Sequence, residues 1–199
     1  MMEMTTQYAP AERVAMDVCQ AEWEYIASHE HIAEVLDTFP QLCGILNTHR
    51  QIVYANRAFL KYLDVPRGDV CGKRPGDVLG CVHAGDEAGG CGTSAFCRYC
   101  GAVNALLEGV AGGEGEQECR IIRTDGSHLD LRVWVSHLEV EGERLLVFCA
   151  QDISDEKRRA ALERVFFHDV LNTAGGILGM ADMLRESSDA EVAEFLETI

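Results

Sequence analysis

Basic residues are scarce in this chain: 17 Lys and Arg stand against 33 Asp and Glu, for a net charge of −16. A surface that negative repels nucleic-acid phosphates and anionic lipid headgroups, so neither is expected as a partner. Long apolar runs are missing too. The longest, LLVFCA at 145–150, is far short of a membrane span. The N-terminal MMEMTTQYAP has no basic start followed by an apolar stretch, which argues against a signal peptide. A cytoplasmic protein without a membrane partner is the expectation. Also lacking are a Gly-rich phosphate loop, a nucleophile motif and paired carboxylates in a plausible cleft, which leaves little support for an enzyme with its own active site. Against these absences, 47% apolar composition is enough for a core, and 199 residues hold one ordinary domain plus a smaller appendage.

Cysteine is what the chain has in quantity: nine residues, an odd number. In a reducing compartment a disulfide framework is the weaker reading, and metal ligation or redox chemistry the stronger. Cys81, Cys91, Cys97 and Cys100 fall within CVHAGDEAGGCGTSAFCRYCG, residues 81–101. Four thiolates suit tetrahedral zinc or a cubane iron–sulfur cluster. Only one close pair is present, Cys97-Arg98-Tyr99-Cys100, whereas structural zinc commonly takes two. Three neighbouring cysteines with a remote fourth favour a 4Fe-4S cluster, although the spacing matches no common ferredoxin pattern. Zn2+ is the alternative, since Cys-x-x-Cys-Gly is similar to a zinc knuckle; free thiols without metal are the plainer reading. His83, two residues from Cys81, is an outside candidate ligand. The other cysteines are scattered, and Cys119 and Cys149, in strand patterns, read as small buried apolar residues. No flavin-adduct motif is found.

Periodicity divides the chain. From Ala11 to Phe39 the pattern is helical, with Ile32, Val35, Leu36 and Phe39 on one face, and Pro40 ends it. LCGILN and IVYAN read as an antiparallel pair around the turn THRQ. Asn56 caps a helix reaching Leu63. The piece 66–93 is loop, with a turn of helix at GDVLG, and GAVNALLEGV (101–110) is helical again. Three strands follow: ECRIIRT up to the turn at Asp125-Gly126; SHLDLRVWVSHLEV, with Leu129, Leu131, Val133 and Val135 on one face; and, past Glu141-Gly142-Glu143, ERLLVFCAQDI. The class is α+β.

This order of elements, with IVYANRAFLKYL early and VFCAQDISDEKRR late, resembles a PAS sensor domain over residues 32–155. The resemblance implies a five-stranded antiparallel sheet with flanking helices and a signal exit through Asp152-Ile153-Ser154-Asp155. It also places the cysteine-rich loop, 81–101, beside the ligand pocket. Residues 1–31 are then an N-terminal helical extension, and 156–199 a signalling helix with part of a dimerisation and phosphoacceptor helical hairpin.

From Ser154 to Arg185 the chain is helical and free of proline. Phe166, Val170, Thr173, Ile177, Met180 and Leu184 form one stripe, and Phe167, Leu171, Ala174, Leu178 and Ala181 another, a face wide enough for a four-helix bundle. A homodimer through helix 156–185 is therefore expected. The polar face carries His168, Asn172, Gly175, Gly179 and Asp182. The stretch FFHDVLNTAGGI resembles the phosphoacceptor box of sensor histidine kinases. By that resemblance His168 accepts a phosphoryl group, Asp169 orients the imidazole and helps take its proton, and Asn172 positions water for dephosphorylating a response regulator receiver domain. Many family members have proline shortly after the histidine; here Thr173-Ala174 stands instead. No nucleotide-binding domain is expected within these residues, so ATP enters only through a domain not contained in them. They read as a piece of a longer kinase or, alternatively, as a non-catalytic, zinc-stabilised PAS interaction module. The mechanistic expectation is that a redox change or a small gas acts at the cysteine-ligated metal and, through Asp152 and Asp155, controls phosphorylation of His168.

Overall fold

The computed structural model describes residues 6–186. Five strands make one antiparallel sheet: β1 Leu42–Asn47, β2 Ile52–Ala55, β3 Glu114–Ile122, β4 His128–Val140 and β5 Glu143–Asp152. Their spatial order is β2-β1-β5-β4-β3, so the chain leaves one edge after β2 and returns at the other. The β4–β5 hairpin turns at Glu141 and Gly142, both at positive φ (50° and 89°), the handedness that matches strand twist. Alternation in β4 buries Leu129, Leu131, Val133 and Val135, as their period of two requires. In β1 and β2 every position is buried. This is the five-stranded α+β architecture the sequence pattern implies.

Helices α1 (Met16–Ser28) and α2 (Glu30–Thr38) replace the continuous helix expected over 11–39. The chain breaks at His29 (φ −84°, ψ 73°), where the Ser28 hydroxyl donates to the Tyr25 carbonyl at 2.7 Å and His29 Nδ1 lies 2.9 Å from the same oxygen. Two local side chains thus compete for one carbonyl of the last turn. The expected apolar face is also only half correct: Leu36 is buried, whereas Val35 and Phe39 are 57% and 45% exposed. Residues 11–15 form neither helix nor strand, and Ala15 is extended (φ −66°, ψ 157°).

Asn56 caps α3 (Arg57–Leu63), as its position predicts, and does more than cap. Its Oδ1 accepts from Phe59 N at 2.9 Å and Cys43 N at 3.2 Å, and its Nδ2 donates to the carbonyls of Leu36, Phe39 and Gln41. One buried amide therefore joins α2, β1 and α3. The short α4 (Pro75–Val78) and α5 (Gly101–Val110) follow, the latter within the limits its sequence pattern gives. α5 packs Val103, Ala105 and Leu106 into the domain.

Cys43 and Cys149 correct the reading of the strand cysteines. They face each other across β1 and β5 with Cα atoms 4.2 Å apart and are joined as a disulfide. That spacing belongs to a non-hydrogen-bonded pair, where opposed side chains approach most closely. Cys149 is accordingly half-buried and bonded rather than a small apolar filler.

The chain divides after Ser154 into two units. β5 reaches the boundary through Ile153, which is buried and donates its N–H to the Asp130 carbonyl at 2.8 Å. Helix α6 spans Ser154–Glu186. The second helix expected from Ser187 lies outside the described residues. No helix of the described residues is long and apolar enough to cross a membrane.

Replacing Asn56 by Ala strips a cap and leaves buried main-chain groups without partners. The expected loss of stability is about 3 kcal/mol, read as a lower urea midpoint at unchanged slope.

Candidate functional site

The four loop cysteines come together. Cys81, Cys91, Cys97 and Cys100, with His83, line one cavity of about 200 Å³ whose floor includes Leu106, Leu131 and Phe148 of the domain core. Three short elements hold them: Cys81 precedes a 3₁₀ turn (Val82–Gly85), Cys97 lies within another (Ala95–Tyr99), and Cys100 caps α5. Cys91 rests against Gly76 in α4, so closely that a β-carbon at 76 would stand 2.5 Å from its sulfur. Only glycine leaves room for the thiol there.

Each sulfur has a main-chain amide directed at it: His83 and Ala84 toward Cys81, Gly76 toward Cys91, Gly92 and Ser94 toward Cys97, Ala102 and Val103 toward Cys100. Amides so arranged favour thiolate over thiol. Burial opposes them and wins at three positions, pushing the thiols of Cys81, Cys91 and Cys97 up. Cys100 goes the other way, down to about 6. The largest cause is a hydrogen bond from the Cys119 thiol; the free amides at the α5 N-terminus and the His83 ring add to it. Cys119, across on β3, is raised in turn as the donor of that bond.

Cys119 is thus a fifth thiol of the site that sequence reasoning assigned to the core. It is buried, but it faces Cys100. No local signal marks it, because the contact joins a helix cap to a strand. Among the described residues no three His, Cys, Asp or Glu side chains converge closely enough to hold a metal ion as they stand. His83 pairs with Asp86 at 2.9 Å and stacks on Phe96 at 4.4 Å between ring centres.

An N-terminal strap closes the loop from outside. Gln7 and Ala9 donate their amides to Thr93 and Gly92, and the Tyr8 hydroxyl donates to Asn104 of α5 at 2.7 Å. Beneath the strap Arg74 is 1% exposed. Its guanidinium donates to the carbonyls of Pro10, Ala11 and Glu12 in the strap, His49 in the β1–β2 turn, and Gly89 and Cys91 in the cysteine loop. Burial lowers its pKa to about 10. Asp77 accepts from the amides of Arg74 and Cys91 and pairs with Arg13 at 2.7 Å.

The second candidate set lies on α6. His168 and Asp169 are exposed, with Nδ1 3.3 Å from the Asp169 carboxylate. Asn172, one turn on, places its amide nitrogen 3.2 Å from the ring nitrogens. A β-carbon at Gly175 or Gly179 would meet open space. Phe166, Leu171, Ile177 and Leu178, from the two apolar stripes, are each more than 60% exposed. At the exit, Asp152 accepts from the Ser154 amide at 2.9 Å and Asp155 pairs with Arg158 at 3.3 Å.

A five-stranded antiparallel sheet with a helix-lined cavity on one side, running into a long helix, defines a sensor-type α+β domain. Residues 40–155 match the PAS domain family, and the chain belongs to it. Among solved structures it is similar to the PAS domain of Bordetella pertussis BvgS, at 18% identity over 74% of this chain and 98% of that one, with a TM-score of 0.47. It is similar also to the PAS domain of an HTR-like protein from Haloarcula marismortui, at 15% identity over 67% and 98%, TM-score 0.43. A third is the PAS domain of nitrogen regulation protein NR(II) from Vibrio parahaemolyticus, at 18% over 61% and 96%, TM-score 0.44. No curated protein matches the chain.

In the reduced, metal-free protein, Cys100 should be the loop thiol that iodoacetamide modifies first. Its rate should rise through about pH 6, because a lowered pKa populates the thiolate above that value. Cys119→Ala removes the largest cause and should move the midpoint upward, as followed by peptide mass spectrometry across a pH series.

Proposed function

We propose that this chain is the input part of a two-component histidine kinase, in which a cysteine-ligated centre in the PAS domain controls phosphorylation of His168. The observation that carries the reading is the His168, Asp169 and Asn172 arrangement on a helix that continues without interruption from the last strand of a sensor domain. With Nδ1–H donating to Asp169, Nε2 carries the lone pair that attacks once the Asn172 amide, 3.2 Å from it, turns aside. Nε2 attacks the γ-phosphorus of ATP held by a separate domain, the bond to the β–γ bridging oxygen breaks, ADP leaves, and the Nδ1 proton is stabilised by the carboxylate. A response regulator receiver domain then takes the phosphoryl group, and Asn172 directs water in the reverse, dephosphorylating role. The exposed apolar stripes of α6 pair with a second copy to give a homodimer.

For the centre, three features support metal: four thiols on one cavity, an amide aimed at each sulfur, and a small domain interior closed over them. Hydrogen bonds to sulfur tune the potential of iron–sulfur clusters, and a cluster supplies the redox or gas response that zinc lacks. A single zinc ion needs four sulfurs at about 2.3 Å from one point, closer than the described thiols converge. A polynuclear 4Fe-4S cluster spans more room and is the preferred occupant, with Zn2+ as the alternative.

Two measurements test this. Anaerobic purification should give a brown protein with about four iron and four sulfide per chain; a colourless protein with about one zinc makes the loop a staple, and one with neither removes the centre. Mixed with ATP and a histidine kinase catalytic domain, the chain should gain acid-labile phosphate that His168→Gln abolishes. Asn172→Ala should keep the label on His168 yet dephosphorylate an added phosphorylated receiver domain at least about tenfold more slowly, a difference of about 1.4 kcal/mol in barrier. An unlabelled wild type ends the phosphoacceptor reading.

A further inference from the structure

The Cys43–Cys149 bond lies outside the cysteine loop and on the other face of the sheet. Phe148 lines the cavity, so its neighbour Cys149 points away from it. The two halves of the bond are unlike. Cys43 is 0% exposed and held from the far side by Asn56: its N–H donates to Asn56 Oδ1 at 3.2 Å, and the Asn56 N–H donates to the Cys43 carbonyl at 2.9 Å. Cys149 is half-buried and opens on a surface groove of about 500 Å³, with Glu116, Trp134, Ser136 and Val147 among its walls. A thiol can therefore reach the Cys149 sulfur but not the Cys43 sulfur. Nor do the strands need the bond to stay paired, since β1 and β5 are in register at six residue pairs, Leu42–Ala150 through Asn47–Leu145. In the reducing compartment expected of this chain, such a bond belongs with transient, redox-sensing disulfides rather than with staples.

The groove also discriminates by charge. Glu114 and Glu116 are exposed on its wall, and among the described residues neither has an ion-pair partner. Arg132, two residues along β4 from Trp134 and on the same face, is paired with Glu118 at 3.0 Å. An incoming thiolate therefore meets net negative charge beside Cys149. A thiol that carries a cation close to its sulfur is favoured there over one that carries a carboxylate.

We infer that Cys43–Cys149 is a reversible thiol–disulfide exchange site, opened at the Cys149 sulfur by a dithiol reductant that enters through this groove. The thiolate of the reductant bonds to Cys149 Sγ. The electron pair of the Cys43–Cys149 bond leaves on Cys43 Sγ, which takes a proton from solvent. The second thiol of the reductant then attacks its own sulfur in the mixed disulfide and releases Cys149 as a thiol. Two electrons thus pass from the dithiol, which becomes a disulfide, to the pair, which becomes two thiols; an oxidised dithiol runs the exchange backwards. The site stands whatever the cysteine loop holds. Its chemistry falls on β5, the strand that ends at Asp152, and reduction unties that strand from β1 while leaving their ladder in place.

The test uses the full chain under nitrogen, with folding followed by far-ultraviolet circular dichroism and the state of Cys43 and Cys149 read by acid quench and peptide mass spectrometry. Dithiothreitol should reduce the pair in the folded protein, and oxidised dithiothreitol should restore the bond. With the monothiols cysteamine and mercaptopropionate, the trapped mixed disulfide should sit on Cys149, with Cys43 left as a thiol. At low salt, Glu116→Lys should shift the ratio of the two exchange rates toward the anionic thiol by at least about threefold. Should that variant fold poorly, Glu116→Gln must shift the ratio in the same direction. A pair isolated as thiols that oxidised dithiothreitol cannot join overturns the inference, as does a bond that resists dithiothreitol until urea unfolds the chain. A mixed disulfide on Cys43, or a rate ratio unmoved by either Glu116 variant, overturns the groove as the route to the bond.

Discussion

A guanidinium shut away from water must find an acceptor for every N–H it presents, and Arg74 finds them on three stretches of chain that share no secondary structure. The strap at 10–12, the β1–β2 turn at His49 and the cysteine loop at 89–91 all end on this one planar group. Water cannot substitute for those carbonyls at 1% exposure, so the three segments are fixed together or not at all. The cysteine loop has little apolar material of its own. Its order comes from this polar hub and from Asp77, which takes the Cys91 amide directly. The geometry of four thiols is in that sense set by a residue that is not one of them.

The sheet supplies the other half of the site. β4 and β5 contribute Leu131 and Phe148 to the cavity floor, and β3 brings Cys119 against Cys100. The strands that line the cavity include β5, which runs on to the Asp152–Ser154 exit. On the opposite side of β5, β1 is tied to it by the Cys43–Cys149 bond. β5 thus both lines the cavity, through Phe148, and carries the bond to β1.

What the sequence makes legible follows the range of the interaction behind it. β4 is readable from its period of two, α5 from its apolar spacing, and the Asn56 cap from its place before a helical run, because each rests on neighbours in the chain. The break at His29 escapes notice, since it turns on two side chains competing for the Tyr25 carbonyl inside an otherwise helical pattern. The non-helical strap is missed for a stronger reason. Residues 11–15 look helical alone, and bonds to side chains far away in sequence hold them out of a helix: Arg74 donates to the Glu12 carbonyl and Gln51 accepts from the Val14 amide. The four loop cysteines stand out by density, whereas Cys119 and Cys149 do not: their partners lie 19 and 106 positions away. Arg50 and Arg74 carry no local mark at all, being ordinary surface residue types buried by tertiary packing.

The strap also bears on what counts as a unit of this protein. The family match starts at residue 40, yet the cover of the cavity and half of the acceptors of Arg74 come from residues 10–12. A domain cut at the family's border for transplantation onto another output would carry all four thiols and none of the lid that shelters them. Its buried guanidinium would be opened to solvent and its cysteines to any passing oxidant. The module that can be moved between proteins is therefore larger than the fold that names it, and its true beginning is set by hydrogen bonds rather than by homology.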